Sequence, residues 1–298
     1  MNEKHGRGSS AGALGILSGF MRTSLIITTY NWPEALELTL ASVARQSLPP
    51  DEVVIADDGS GPATRELIER WRSRLNAPLT HVWQPDEGFR LARSRNRAIA
   101  AASHEYLVLV DGDMVLHRHF VRDHVACARP DCFIQGARPQ LSAETTRRLL
   151  NGEQLSLGWW TAGLQRRPYA WRNPWLSRMT SRIRDTLGGI QGCNQSFWRK
   201  HALQVNGYDE RFNGWGPEDR EFAARLLHLG VRRNYVRHRA VAFHLHHATR
   251  APADGVNPLD KLLQETLAAR RIRCDHGIEA TPGPVGAADS AMSGRPAA

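Results

Sequence analysis

The chain has 298 residues, of which 41% are hydrophobic and 23% charged, a composition typical of a globular protein with a sizeable core. It contains no run of about 18 apolar residues, so we expect no membrane-spanning helix. The formal net charge of +9 favours anionic partners such as nucleic acid, acidic lipid or phosphorylated substrates.

The two ends differ in composition from the middle. Residues 1–22 are rich in glycine and serine, and residues 280–298 in alanine, glycine and proline, so we expect a disordered leader and tail. Met21, directly before the first predicted strand, is an alternative start. The cysteines are Cys127, Cys132, Cys193 and Cys274. Their spacing fits no zinc site, which favours a reduced, cytoplasmic protein.

The first half of the chain alternates between β-rich runs and helical patterns. The predicted strands cover 24–30, 52–56, 81–83 and 106–110. The predicted helices cover about 34–46, 63–74 and 89–102. This alternation predicts an α/β fold with a Rossmann-like, mostly parallel sheet and helices on both faces.

The strand predicted at 106–110 runs directly into two carboxylates flanking a glycine, Asp111-Gly112-Asp113. Its unbroken apolar run indicates burial on both faces, and open α/β sheets bind ligands at the carboxyl ends of such strands. Two carboxylates this close repel each other unless a cation lies beside them. An Asp-Gly turn without a ligand is the alternative for this stretch alone.

Polar residues also end the first two strands, at the same predicted edge of the sheet. They are Thr28, Tyr30, Asp57 and Asp58. The glycine-rich fingerprint of dinucleotide-binding domains is missing after the first strand, and no P-loop occurs. Carboxylates without a glycine-rich cradle favour a nucleotide held by base contacts and a metal-bridged diphosphate.

Four motifs in this order resemble the inverting glycosyltransferases of family 2, which have the GT-A fold. The motifs are Thr28-Thr29-Tyr30-Asn31, Asp57-Asp58-Gly59-Ser60, Arg95-Asn96 and Asp111-Gly112-Asp113. The resemblance covers roughly residues 25–247. It implies a GT-A domain over 23–250, with a donor half at about 23–125 and an acceptor half at about 126–250. Residues 251–298 would form a C-terminal helix and the tail.

The resemblance assigns donor-binding roles to the residues at the strand ends. Thr28 and Tyr30 would line the nucleotide pocket, and Asp58, together with Asp57, would accept a hydrogen bond from the uracil ring. Arg95 would reach the base or the phosphates. A capped turn is the alternative for the Asp57–Asp58 pair, and a solvated basic helix face is the alternative for Arg95 and its neighbouring arginines.

The resemblance also implies a metal ion, Mn²⁺ or Mg²⁺. Asp113 would bind the ion directly, and Asp111 would contact the ribose or reach the ion through water. A last predicted strand, 241–247, carries His244, His246 and His247. Strand alternation places His244 and His246 on one face and His247 on the other. The family often supplies a histidine here as a metal ligand, and His244, then His247, are the candidates. A surface cluster without a ligand role is the alternative.

The segment Trp215-Gly216-Pro217-Glu218-Asp219 resembles the Trp-Gly-x-Glu-Asp motif of β-1,4-galactosyltransferases and bacterial chondroitin-polymerase-type enzymes. It implies that Asp219 is the general base and that Glu218 holds acceptor or donor hydroxyls, as Asn194 would. Trp215 offers a stacking face for a sugar. Helical spacing after residue 218 indicates that a helix begins there, so helix capping is the alternative role of the two carboxylates.

The implied reaction moves a hexose or N-acetylhexosamine from a UDP-sugar to a saccharide or lipid-linked saccharide, in bacterial surface polysaccharide or lipopolysaccharide synthesis. One alternative is a sugar-nucleotide-forming nucleotidyltransferase, which would normally show a glycine- and arginine-rich loop after the first strand. Another is a basic nucleic-acid-binding protein. Since the arginines are dispersed and no recognition motif occurs, we expect no nucleic-acid partner.

Tryptophans and arginines interleave within residues 159–184. Four interpretations of the pattern stay open: packing beneath a solvated basic face, an acceptor pocket, a nucleic-acid patch, and contact with a membrane surface. The last would make the protein peripheral on the inner face of the membrane.

Overall fold

The structure, a computed structural model, describes residues 21–248 and 257–280, which contain ten strands and nine α-helices. The strands are β1 (Thr23–Thr29), β2 (Glu52–Asp57), β3 (Leu79–Trp83), β4 (Tyr106–Asp111), β5 (Met114–Leu116), β6 (Cys132–Gln135), β7 (Arg182–Arg184), β8 (Asn194–Trp198), β9 (Arg232–Tyr235) and β10 (Ala242–His244). The helices are α1 (Pro33–Ala44), α2 (Pro62–Arg72), α3 (Leu91–Ala101), α4 (Phe120–Cys127), α5 (Ala143–Leu150), α6 (Pro174–Thr180), α7 (Arg199–Gln204), α8 (Glu218–His228) and α9 (Asp260–Ala268).

Strands β1 to β4 form the parallel half of an eight-stranded sheet, in the order β3-β2-β1-β4. Alternate residues of β1 face opposite layers, as the period of a strand requires. Leu25 and Ile27 pack against α1 and α2, whereas Ile26 packs against α3. The α/β fold with helices on both faces is thus confirmed, and the predicted elements of this half are present.

The sheet continues beyond β4 in the order β8-β6-β9-β7, with mixed directions. β8 runs antiparallel to both β4 and β6, and its first residue, Asn194, pairs with Val110. The loop before β8 therefore reaches the edge where β4 ends. That reversal brings residues 188–193 to the carboxylates at the end of β4.

A second, two-stranded sheet is built from β5 and β10, which pair antiparallel with His244 opposite Met114. The amide of Leu245 also donates to the carbonyl oxygen of Asp113 at 3.0 Å. The strand predicted at 241–247 is shorter in the structure, because it ends at His244. This small sheet carries a late segment of the chain to the end of β4.

The remaining parts of the described chain lie around α8. Helix α9 packs against it, and Thr266 donates a hydrogen bond to Glu221 at 2.9 Å. In the parts of the chain that the structure describes, every helix is too short or too polar to cross a bilayer. The predicted leader (1–22) and tail (280–298) lie almost entirely outside the described residues, which begin at residue 21 and end at residue 280.

Candidate active site

The carboxylates of β4 lie where the parallel strands end, and short contacts with β1 hold them. Thr28 Oγ1 donates to Asp111 Oδ1 at 2.8 Å, and the amide of Gly112 donates to the carbonyl of Thr28 at 2.7 Å. A Cβ on Gly112 would lie 2.6 Å from that carbonyl oxygen. Glycine is therefore required here because the turn presses directly on β1.

Asp113, His244 and His247 converge into an Asp–His cluster. The Nε2 atoms of His247 and His244 lie 3.1 Å and 3.5 Å from Asp113 Oδ2. One ligand atom from each residue lies within 4.8 Å of the others. Asp113 Oδ1 and His244 Nδ1 are buried and bond to no described residue. Mixed imidazole and carboxylate donors with unused lone pairs fit a divalent cation.

The electrostatics of this cluster also fit a cation site. Burial lowers the pKa of His244, so its imidazole is neutral and a lone pair is free to bind a metal. Burial by itself would raise the pKa of Asp113, but the hydrogen bond from His247 and the positive charges around the carboxylate outweigh it and lower that pKa. An ionised carboxylate and a neutral imidazole are the forms that bind metals.

The placement of His246 corrects the prediction from strand alternation. Because β10 ends at His244, alternation does not continue, and His247 comes round to the ring of His244 at a centroid distance of 4.9 Å. His246 is exposed, and its amide donates to Thr146 Oγ1 at 2.8 Å. His247 also contacts the edge of Trp32, with 6.0 Å between ring centroids.

The two aspartates after β2 point in different directions. Asp57 is 1% exposed and accepts a hydrogen bond from the amide of Ser60 at 2.8 Å, while His81 Nε2 lies 2.8 Å from its other oxygen. Both oxygens thus shape the turn, and the predicted part of Asp57 in binding uracil stays a prediction. Asp57 performs the capped-turn role in this geometry.

Asp58 lies at the sheet edge, in surroundings that disfavour the ionised form of its carboxyl group. Its carboxylate accepts from Gln84 Nε2 at 2.6 Å and from the amide of Arg90 at 2.9 Å. Burial raises its pKa to about 6, although these two hydrogen bonds oppose the shift. Near Asp58, Tyr30 is 36% exposed and donates to Asp86 Oδ2 at 2.9 Å. Sequence reasoning missed Gln84 and Asp86, which belong to a loop without a motif.

Arg95 is a buried bridge between two carboxylates. It is 1% exposed, with Nη1 donating to Glu218 at 2.9 Å and Nη2 lying 3.4 Å from Asp111. Its guanidinium lies 5.1 Å from the ring centroid of Tyr208. The alternative of a solvated helix face is wrong for Arg95, because α3 turns this side chain into the interior, and its predicted contact with the nucleotide stays a prediction.

Glu218 and Asp219 begin α8, as predicted, and lie on the other side of Arg95. Asp219 is half-buried and accepts from the amides of Gly192 and Arg220, both at 2.7 Å. Burial raises the pKa of Glu218 to about 7 against the opposing charge of Arg95, and it also raises the pKa of Asp219. Both carboxyl groups therefore titrate closer to neutrality than ordinary surface acids do.

Trp215 lies on the loop directly before these carboxylates and is 47% exposed. The backbone of Gly214 has φ +135, and a Cβ on Gly216 would lie 3.0 Å from Leu259. Asn257 Nδ2 donates to the carbonyl of Trp215 at 2.8 Å. The loop is thus held from behind while its indole ring remains open to solvent.

Asn194, predicted to hold acceptor or donor hydroxyls, has a structural role in this geometry, and its contact with a sugar stays a prediction. Its side chain is 0% exposed, and Nδ2 donates to the carbonyls of Ala137 and Ala240, both at 2.8 Å. Its Oδ1 lies 3.0 Å from Nε2 of His124. Asn194 therefore ties strands and loops together beneath the site.

Arg138 is a residue of the site that sequence reasoning missed, since a lone arginine after a strand carries no signal. Its Nη1 donates to Cys193 Sγ at 3.5 Å, and its Nε is buried without a described partner. The next residue, Pro139, accepts from the amide of His244 at 3.0 Å. Burial opposes its charge, but Cys193, Asp111 and Asp113 outweigh burial and raise the pKa of Arg138.

Comparisons with known proteins indicate the family of the chain. The model of Glycosyl transferase family 2 matches residues 24–203, and that of the N-terminal domain of galactosyltransferase matches residues 176–248. A chondroitin synthase of Escherichia coli is 30% identical over 223 residues, covering 70% of this chain. The chain spans only 32% of that enzyme's length.

Solved structures share the fold at low sequence identity. TarS of S. aureus in complex with UDP has a TM-score of 0.58 at 18% identity, over 88% of this chain and 68% of that one. A mannosyltransferase of Pyrobaculum calidifontis with GDP-Man and Mn²⁺ has a TM-score of 0.52 at 21% identity, over 80% and 59%. Because this family model matches more than half of the chain, the chain belongs to glycosyl transferase family 2.

Proposed function

We propose that the chain transfers a hexose or N-acetylhexosamine from a UDP-sugar to a saccharide acceptor, with a divalent cation and with inversion at the anomeric carbon. One observation carries this proposal: a single edge of the sheet holds the Asp–His cluster and, across the buried Arg95, the carboxylates Glu218 and Asp219. The TarS structures with UDP and UDP-GlcNAc support a sugar-nucleotide donor.

Asp113, His244 and His247 would hold the cation. A donor set of one carboxylate and two imidazoles suits Mn²⁺ somewhat better than Mg²⁺. When bound, the ion supplies Lewis-acid stabilisation of the negative charge on the departing diphosphate. The related fold with GDP-Man and Mn²⁺ supports this assignment.

On the donor side, Asp58 and Tyr30 would bind the uracil ring of the nucleotide. With its pKa near 6, Asp58 is mostly ionised at neutral pH and can accept a hydrogen bond from a ring N–H. Asp111, held by Thr28 and Arg95, faces the ribose. Arg138, which has no carboxylate partner among the described residues, would bind the diphosphate.

On the acceptor side, Asp219 takes the proton of the acceptor hydroxyl while that oxygen attacks the anomeric carbon. The new C–O bond forms on the face opposite UDP, the bond to the phosphate oxygen breaks, and an α-linked donor gives a β-linked product. A pKa raised towards neutrality suits a general base, which typically contributes ~10²–10⁴-fold in rate. Glu218 and Trp215 would bind the acceptor sugar.

We also propose that the chain divides into a donor half at about 23–125, an acceptor half at about 126–250 and an appended segment at 251–298. We further propose an acceptor in bacterial surface polysaccharide, which the similarity to a chondroitin synthase supports. A cytoplasmic location agrees with the four free cysteines.

A panel of UDP-glucose, UDP-galactose and their N-acetylated forms tests the proposal without knowledge of the acceptor. We expect at least one donor to be hydrolysed slowly to UDP in the presence of Mn²⁺, and chelation to stop the reaction. Release of pyrophosphate from a nucleoside triphosphate and a sugar phosphate would instead support a nucleotidyltransferase. Failure to bind any of the UDP-sugars would contradict the proposal.

A further inference from the structure

Residues 155–184 present exposed aromatic side chains that the proposed reaction does not use. The segment buries Leu164 and Ala170 in a core cluster with Phe243 and Leu245, so its small and aliphatic residues account for its packing. Its large residues stay outside. They are Trp159 (53% exposed), Trp160 (57%), Trp171 (47%), Trp175 (69%) and Met179 (54%).

The same segment is strongly and uniformly basic. Residues 155–184 contain six arginines and neither aspartate nor glutamate. Arg172 pairs with Asp123, but the other five are exposed and form no ion pair with any described residue. They are Arg166, Arg167, Arg178, Arg182 and Arg184. We call these five arginines and the five exposed apolar residues the Trp–Arg surface.

The fold places this surface at one end of the main sheet. Trp175 and Met179 lie one turn apart on α6, which leads into β7 at the sheet edge. Gln165 bridges to Gln140, which in turn bridges to His244. The surface is therefore attached to the same framework as the Asp–His cluster, and it lies at the opposite end of the sheet from β3.

We propose that the Trp–Arg surface binds the face of an anionic phospholipid bilayer, whichever sugar the enzyme transfers. Indole rings prefer the headgroup level of membranes, because they combine an apolar body with a polar N–H. Guanidinium groups form bidentate hydrogen bonds with phosphates. A second copy of the chain fits less well, since two such surfaces would bring like charges together. Met179 adds an apolar contact that base stacking in a nucleic acid does not require.

Co-sedimentation of the full chain with vesicles tests this proposal. We expect binding to phosphatidylcholine vesicles that contain about 30% phosphatidylglycerol, and little binding to phosphatidylcholine alone. The double variant R167Q/R178Q should weaken binding about 30-fold, since each arginine near an anionic surface contributes roughly fivefold. W160S/W175S should also weaken binding and should remove a blue shift of tryptophan fluorescence on vesicle addition.

Matched controls lie at the other end of the sheet. Trp83 on β3 is 39% exposed, and Arg65 and Arg70 on α2 are exposed. W83S and R65Q/R70Q should bind vesicles like the parent chain. Absence of binding by the parent chain, equal losses in the controls, or binding to RNA but not to vesicles would overturn the proposal. UDP binding, measured separately, distinguishes this failure from failure of the proposed reaction.

Discussion

The molecule holds two pairs of neighbouring carboxylates in opposite electrostatic surroundings. Asp111 and Asp113 lie at the end of β4, where burial is outweighed by the hydrogen bond from His247 and by nearby positive charge, so that the pKa of Asp113 is lowered. Glu218 and Asp219 begin α8 in a buried setting, where desolvation raises the pKa of both. Asp113 is therefore set up to remain ionised, whereas Glu218 and Asp219 are set up to exchange protons.

Arg95 joins the two pairs, since it reaches Asp111 with one nitrogen and Glu218 with another. A single buried cation thus offsets the repulsion within both pairs and holds them at a constant separation. In the proposed reaction, the donor and acceptor roles of these carboxylates therefore depend on local burial and charge rather than on residue type. Substitutions at these positions test that difference.

The largest expected effect follows Asp219→Asn. The amide cannot accept the acceptor proton, so transfer should fall by ~10²–10⁴-fold, while UDP affinity should stay within about twofold. Product formation and calorimetric titration with UDP measure the two quantities. Transfer at more than a tenth of the parent rate would show that the base lies elsewhere.

Arg95→Met should destabilise the protein most. It leaves the carboxylates of Asp111 and Glu218 without their buried cation, at a cost of about 3–5 kcal/mol in the free energy of unfolding. Urea denaturation gives this value. Arg93→Met on the same helix, where Arg93 makes a partly exposed pair with Glu87, is the control and should cost about 1 kcal/mol or less. Equal costs would mean that Arg95 is no bridge.

Asp113→Ala should abolish the dependence of UDP binding on Mn²⁺, because the cluster loses its carboxylate. We expect metal affinity to fall by at least ~10²-fold, since even indirect ligand supports contribute 10- to 100-fold. His246→Ala, which changes an exposed histidine outside the cluster, should leave it unaltered. UDP titrations with Mn²⁺ and with a chelator compare the two variants, and a metal response that survives in Asp113→Ala would contradict the ligand role.

Arg138→Ala should weaken UDP binding about tenfold or more, the loss expected for one charged hydrogen bond. UMP should be affected less than UDP, because the guanidinium is assigned to the diphosphate. Titrations with both nucleotides in the presence of a chelator make the test independent of the metal. The exposed Arg118 provides the control, Arg118→Ala. An equal loss for UMP and UDP would place Arg138 outside the diphosphate site.

The smallest expected effect is a pH shift. Since the base must be ionised and burial raises the pKa of Asp219, the transfer rate should rise with pH through an inflection above the usual range of an aspartate. Glu218→Gln removes the neighbouring negative charge, so Asp219 ionises more readily and the inflection should move to lower pH. An inflection at higher pH would show that Glu218 does not raise the pKa of its neighbour.

Much of the donor half was predictable because its signals are local. Buried parallel strands appear in the sequence as unbroken apolar runs, and the polar residues that end them must meet at one edge. The start of α8 was predictable for the same reason, from the helical spacing after Glu218. Where a residue's surroundings come from distant segments, as for Arg95 and Asn194, residue type alone could not predict the contacts.

The fold class, the family and the carboxylates of the motifs can be predicted from the amino-acid sequence alone. How these carboxylates combine follows only from the folded chain. It turned Arg95 inward to join Asp111 to Glu218, ended β10 at His244 so that His247 rather than His246 reaches Asp113, and brought Arg138 beside the cluster. Strands that are distant in sequence pair with each other, and this pairing sets which charges are buried together. Local periodicity in the sequence does not predict which strands pair.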